Sequence, residues 1–228
     1  MNQFAWIAIT TAVVAALAGA RVRWRHWGAL PTELRLALPG DELINEPASV
    51  VTRGVSIEAP PSEVWQWLVQ IGQDRGGMYS YDWLENLLGL RIHSAKEIRA
   101  DWQHLRVGDR VTLVRPGWLG LKKGYSLPVE RIDEGHAIVL SQAPPEHPWE
   151  AVWSFHLASA GPSRCRLISR SREAIKPGLG PTIGRVFGQA LDPITLLMTR
   201  KMLLTIKRRA EDHWRSRTAA VARLGERV

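Results

Sequence analysis

The chain has 228 residues, a formal charge of +8 and a single cysteine, Cys165. That length suits one domain with a substantial core plus an appendage, and crowds two full domains. One cysteine excludes an intramolecular disulfide framework. No C-x-x-C, H-E-x-x-H or clustered His/Cys spacing points to a metal site, so neither metal nor cofactor is expected.

Phe4 to Ala20 is an uncharged run of 17 residues. As a helix it would span ~25 Å, just enough for a hydrocarbon core of ~30 Å. Arg21, Arg23 and Arg25 follow it, and Trp6, Trp24 and Trp27 fall where an aromatic belt would lie. Ala18-Gly19-Ala20 resembles a signal-peptidase site, and a buried core helix is a further reading. A secretory signal, however, carries its positive charge before the apolar stretch, and here the charge comes after it. The order favours a single-pass N-terminal anchor with the remaining chain in the cytoplasm. The expected organisation is an anchor and basic flank over 1–27, a connector over 28–49, a folded domain over 50–222 and a tail over 223–228.

The domain opens with "VVTRGVSIE", Val50 to Glu58, whose alternation predicts a strand with Val51, Val55 and Ile57 on one side. Pro60 and Pro61 stop it, and Pro61 begins a helix running to Gly72. Gly76-Gly77 reads as a hinge. A second short helix is predicted with Ser80 as N-cap, Asp82 in the first turn and Gly89 as terminator.

Beyond residue 108 the period becomes two. Strands are predicted at Asp109–Arg115, Tyr125–Ile132, Ala137–Gln142, Trp149–Leu157 and Arg164–Arg172, with connections short enough for antiparallel neighbours. In "WEAVWSFHL" Trp153, Phe155 and Leu157 share one face, and Ser154 and His156 the other. In "RCRLISRSR" the arginines 164, 166, 170 and 172 lie opposite Cys165 and Leu167. One sheet face is therefore apolar and the other basic and, with His156, expected at the surface. Asp192-Pro193 predicts the start of a last helix whose stripe is Ile194, Met198, Met202, Ile206 and Ala210. Its other face, within Arg200 to Arg217, is basic; it reads either as a solvated face or, together with Arg21 to Arg25, as a surface acting on anionic lipid of the membrane. No nucleic-acid-binding signature accompanies any of the basic clusters, so no nucleic-acid partner is expected.

The strings "IEAPPSEVWQWLVQIGQDRGGMYSYDWLENLLGL", "VGDRV" and "MTRKMLLTIKRRAED", in that element order, resemble a bacterial branch of the START-like, helix-grip superfamily often called SRPBCC. The resemblance covers about Val50 to Asp212. It implies an α+β fold in which a curved antiparallel sheet wraps a long C-terminal helix, with two short helices after the first strand; the transmembrane helix lies outside it. It also implies a cavity for a hydrophobic or amphipathic small molecule, lipid or polyketide-like. It implies no single activity, because the superfamily holds carriers, receptors and cyclases.

On this reading Trp65, Trp153, Phe155, Met198 and Met202 supply the apolar wall of a ligand site, with Tyr79, Tyr81 and Trp83 at its mouth. Each also reads as an ordinary core or cap residue. The leading expectation is membrane-anchored binding or transport of such a molecule. A cyclase or dehydratase acting on it, and a membrane-proximal interaction module with a side-chain-filled interior, are the alternatives. No catalytic residues are assigned, and no G-x-S-x-G or S-x-x-K string supports a serine hydrolase.

Overall fold

The computed structural model describes residues 11, 12, 16, 19–87, 89–118, 121–147, 149–174 and 181–225, with side chains in the last segment from 192 onward. Most of the expected anchor, Phe4–Ala20, lies outside the described residues. Among those described, no helix is long and apolar enough to cross a membrane.

After helical residues 19–25 come helix α1 (Pro31–Arg35), strand β1 (Ser49–Ile57), and helices α2 (Pro61–Val69) and α3 (Asp82–Leu87). Strands β2 (Arg110–Val114), β3 (Tyr125–Asp133), β4 (Ala137–Gln142), β5 (Ala151–Ser159) and β6 (Cys165–Glu173) follow, and helix α4 (Pro181–Gly225) closes the chain. Every predicted strand is present with its ends within two residues of expectation. The six form one antiparallel sheet in the order β1-β6-β5-β4-β3-β2. The architecture is a helix-grip α+β fold.

Register determines which side chains meet. Phe155 pairs with Ser169, and Ser169 with Arg53; Leu157 pairs with Leu167, and Leu167 with Val55. These rows share the face turned to α4. Val55, Ile57, Phe155, Leu157 and Leu167 are buried with Met202, Leu203, Ile206 and Ala210 of α4 and with Val64, Trp67 and Leu68 of α2. Each large side chain so buried contributes about 1.5–3 kcal/mol. The turns after β3 and β5 lie at the lower end of the sheet. The starts of β1 and β5 and the end of β6 lie at the upper end.

Three local expectations need correction. Helix α4 begins at Pro181 and carries Pro193 inside it, so Asp192-Pro193 is not a helix start. Asp192 instead accepts a hydrogen bond from Arg21 Nε at 3.0 Å, and its carbonyl accepts one from Thr195 Oγ1. The apolar stripe holds at Met202, Ile206 and Ala210, whereas Met198 is half-buried and Ile194 is 56% exposed. Ser80 does not cap α3: its hydroxyl lies 3.2 Å from Met198 Sδ and 3.5 Å from the Met198 carbonyl.

The third correction concerns the basic face of the sheet, which is covered. Residues 28–49 run across it, starting at Gly28, where φ is +68° and an added Cβ would lie 2.2 Å from the Gly54 carbonyl. Arg166 Nε donates to Glu33 at 2.6 Å, Arg170 Nη1 to Asp41 and to the Leu36 carbonyl, and Arg172 to the Ile44 carbonyl. The Arg170 side chain is 2% exposed. His156 is on the predicted face but is buried, its Nε2 2.8 Å from Ser154 Oγ. Burial, followed by the field of Arg170, pulls its pKa down to about 4.

Candidate functional site

Strand alternation puts Trp153, Phe155, Ser169, Ser171 and Arg53 on the same face as Leu157 and Leu167, but the character of that face changes along it. At the lower end the rows are Leu157–Leu167–Val55, all buried, and then Ser159–Cys165–Ile57, in which Cys165 and Ile57 are buried and Ser159, at the strand end, is exposed. Toward the upper end they become Phe155–Ser169–Arg53, then Trp153–Ser171–Val51, then Ala151–Glu173–Ser49. Trp153, Ser171, Val51, Glu173 and Ser49 are half-buried. The grip is thus mainly buried and apolar at one end, and polar, aromatic and partly open at the other.

The open end is held by specific contacts. Trp153 Nε1 donates to Ser169 Oγ at 3.0 Å, and its ring lies 4.7 Å from that of Phe155, tilted by 54°. Arg53, 4% exposed, bridges β1 to α4. Its Nη1 donates to the Thr195 carbonyl at 3.0 Å and to Thr199 Oγ1 at 2.9 Å, leaving Nε without a partner among the described residues. Desolvation, opposed by Asp192, brings the Arg53 pKa down to about 10, so the group is charged at neutral pH. Further along the same end, Tyr125 Oη donates to Gln142 Oε1, and Gln142 Nε2 to the Trp149 carbonyl. A buried cation, a buried hydroxyl and an indole in one patch can orient the polar end of a molecule whose apolar part lies against Phe155 and Met202.

The predicted site residues separate into three groups. Trp153, Phe155, Met198 and Met202 belong to this end of the grip, Phe155 and Met202 buried, Trp153 and Met198 half-buried. Trp65 packs at the edge of the core on α2, and Trp83 is 67% exposed on α3. The two tyrosines part company. Tyr81 is half-buried with Lys201 Nζ 5.6 Å from its ring, whereas Tyr79 is wholly buried.

Tyr79 Oη accepts from Gln70 Nε2 at 2.9 Å, its ring meets Trp67 edge-on, and the Arg209 guanidinium lies 4.9 Å from its centre. Gln70 also donates to the Glu97 carbonyl and accepts from Arg99 N and Gln103 Nε2. Desolvation pushes the Tyr79 pKa up, so its phenol stays protonated. Gly76 and Gly77 belong to the same knot and are not a loose hinge. Gly77 exchanges two backbone hydrogen bonds with Gly72, and a Cβ on Gly76 would lie 2.6 Å from Tyr79 Oη. Tyr79→Phe is expected to cost about 1–2 kcal/mol of stability, because Gln70 Nε2 loses one of its two acceptors. Tyr81→Phe should cost less than half as much. Urea titration of both variants checks the contrast, and equal losses would refute it.

Arg53 was not among the expected site residues, although its signal was present: it falls in the apolar phase of β1, with Val51, Val55 and Ile57, where a charge is out of place. Glu85 was missed as well. It is 3% exposed on α3, its Oε2 has no partner among the described residues, and desolvation, with Asp82 nearby, raises its pKa to about 7. No pattern in the sequence separates it from the exposed Trp83 and Leu87 on the same short helix.

No family model matches the chain, and no curated protein matches it at a significant level. Solved structures do. Norcoclaurine synthase from Thalictrum flavum, a point mutant in complex with a transition-state analogue, is 16% identical over 72% of this chain and 95% of that one, with a TM-score of 0.43. The hypothetical protein jhp0584 from Helicobacter pylori is 13% identical over 77% and 95%, with a TM-score of 0.47. CalU16 from Micromonospora echinospora is 16% identical over 75% and 90%, with a TM-score of 0.34. At this distance the likenesses carry no activity, substrate or residue role to this chain.

Proposed function

We propose that the chain binds a hydrophobic or amphipathic small molecule, lipid or polyketide-like, at the upper end of the grip, and that its N-terminal segment anchors it in the membrane with the domain on the cytoplasmic side. The observation that carries the first part is the change along the concave face, from buried leucine and valine rows to the half-buried Trp153 row beside Arg53 and Ser169. An interior meant only for stability has no use for that change. Burial of apolar surface against Trp153, Phe155, Met198 and Met202 supplies affinity, and Arg53 and Ser169 supply orientation.

The anchoring part rests on the uncharged run Phe4–Ala20 and the arginines after it. The point at which that run reaches the domain agrees with it. Arg21 is bonded to Asp192, and Arg25 to Ser49 and the Val50 carbonyl, all at the upper end. An anchor there holds the open end near the bilayer, where apolar molecules partition.

Native mass spectrometry of the purified full chain, followed by extraction, is expected to show a co-purified apolar compound that Trp153→Ala retains at no more than about a tenth of the wild-type occupancy, since a buried tryptophan contact is worth well over 1.4 kcal/mol. Wild-type protein without any bound compound, or undiminished occupancy in Trp153→Ala, would end the binding reading.

A further inference from the structure

We infer that the surface around the open end is a docking face for an anionic lipid bilayer, formed by α3, the outer side of α4, the β2–β3 hairpin tip and helical residues 21–25. The inference deepens the membrane reading above, and it adds a face of the folded domain to an anchor outside it.

Contacts join these four pieces. Ser80, before α3, touches Met198 of α4, and Lys201 of α4 lies over Tyr81. Trp118 of the hairpin tip has its indole Nε1 3.9 Å from where a side chain at Gly89 would begin, just past α3. Arg21 is bonded to Asp192 of α4. The hairpin tip belongs to the upper end because β3 starts there, with Tyr125 bonded to Gln142.

On this face the exposed side chains are of two kinds. The apolar ones are large: Trp83 at 67%, Leu87 at 76%, Leu121 at 42%, Ile194 at 56% and Leu197 at 52%, continued by Val22 and Trp24. Half of the fourteen strongly exposed large apolar side chains among the described residues are here, including both tryptophans. Single exposed leucines need no explanation, but a group of this size on neighbouring elements does.

The polar ones are cations: Arg23, Arg91, Arg115, Lys122, Lys123 and Arg200 are exposed. The acids of the same segments, with α4 taken from Asp192 to Lys201, are all engaged or buried. Asp82 accepts from Ser94 N and Oγ, Asp192 from Arg21, and Glu85 is buried. A protein partner would require acids to meet these cations and grooves to meet scattered side chains. A fluid bilayer accepts leucine and tryptophan at its interface in any arrangement, and its anionic headgroups match these four pieces, whereas the exposed Glu46, Glu146 and Glu150 lie on other loops of the upper end. Arg21, the residue that follows the uncharged run Phe4–Ala20 in sequence, is bonded on this face.

The test uses the full chain with one labelled cysteine at a time. Cys165 is 1% exposed and burial pushes its thiol up to about 12, so it stays unlabelled. Trp83→Cys, Leu121→Cys and Leu197→Cys report on the face, and Ala160→Cys, at the opposite end of the sheet, is the control. Each carries an environment-sensitive fluorophore and is mixed with phosphatidylcholine vesicles, with or without phosphatidylserine.

The expected result is a several-fold, blue-shifted rise at 83, 121 and 197 that requires phosphatidylserine and is quenched by lipid-borne spin labels, with no change at 160. Lys122→Glu combined with Lys123→Glu should reduce the rise at 83 and 197 on phosphatidylserine vesicles several-fold, even where the chain stays vesicle-bound through its N-terminal segment. Vesicle association with all four probes still in water would overturn the docking face and leave the anchor standing. Equal signals at 83 and 160, or a rise at 83 produced by protein concentration without vesicles, would also overturn it. The ligand reading is untouched by any of these, because its test is read without lipid vesicles.

Discussion

Arg170→Ala is expected to destabilise the protein by about 3–5 kcal/mol, the largest effect foreseen for any single polar residue. The Arg170 side chain is 2% exposed and holds the covering segment by three groups at once: the Asp41 carboxylate and the carbonyls of Leu36 and Glu33. Its removal leaves Asp41, 17% exposed, with Arg172 at 3.4 Å as its remaining cation. Chemical denaturation gives the magnitude. Hydrogen exchange gives the location, with amides of residues 33–44 expected to lose protection before those of β4 and β5. A loss under 1 kcal/mol, or uniform loss of protection, would show that residues 28–49 do not depend on this arginine.

The second large effect depends on pH. Glu85 has a folded pKa raised to about 7 from 4.5 by burial, so its favourable contribution is complete below 4.5 and is lost as pH rises through about 7. His156 has a folded pKa lowered to about 4 from 6.5 by burial, so its contribution is present above 6.5 and is lost as pH falls through about 4. Each is worth on the order of 3 kcal/mol over its full range. Between 4.5 and 6.5 their slopes oppose each other, and the wild-type protein should show little net dependence from the pair. Glu85→Gln should therefore be more stable than wild type by about 2–3 kcal/mol near pH 8 and unchanged near pH 4, with stability now rising steadily from about pH 4 to 6.5. Urea titrations across that range decide the matter; a variant less stable than wild type at alkaline pH would mean that the Glu85 carboxylate is satisfied in the fold.

Strand content, the order of strands along the chain and their facing were legible because period-two alternation is a local property that tertiary packing reinforces. Trp153, Phe155, Leu157 and Leu167 face α4 as alternation requires. What covers the opposite face was not legible. Alternation gives the side on which His156 and Arg170 project, but Arg170 is bonded there to Asp41 and to the Glu33 carbonyl, more than a hundred residues away. Tyr79 was placed at a rim by its neighbours in sequence, yet its backbone has φ of +55°, a conformation rare for a non-glycine residue, and this turns the ring into the core. The start of α4 was misread because a proline after an aspartate is the usual opening of a helix, and nothing local announces that this one sits in the middle. At the candidate site, the apolar wall could be named from periodicity, whereas Arg53 and Ser169 acquire meaning only from strand register.

The sheet order has a consequence for synthesis. β1 is the edge strand of the described sheet and pairs there with β6, the last of the six to be made, and residues 28–49 rest on that same strand. Strand β1 and the covering segment 28–49 must therefore wait without β6 while the intervening strands emerge from the ribosome. Closure of β1 onto β6 carries the longest chain separation in the sheet and is expected to be the late, slow event in folding. Until then the exposed edge and the apolar side of β1 are the part of the nascent chain most in need of protection from other chains.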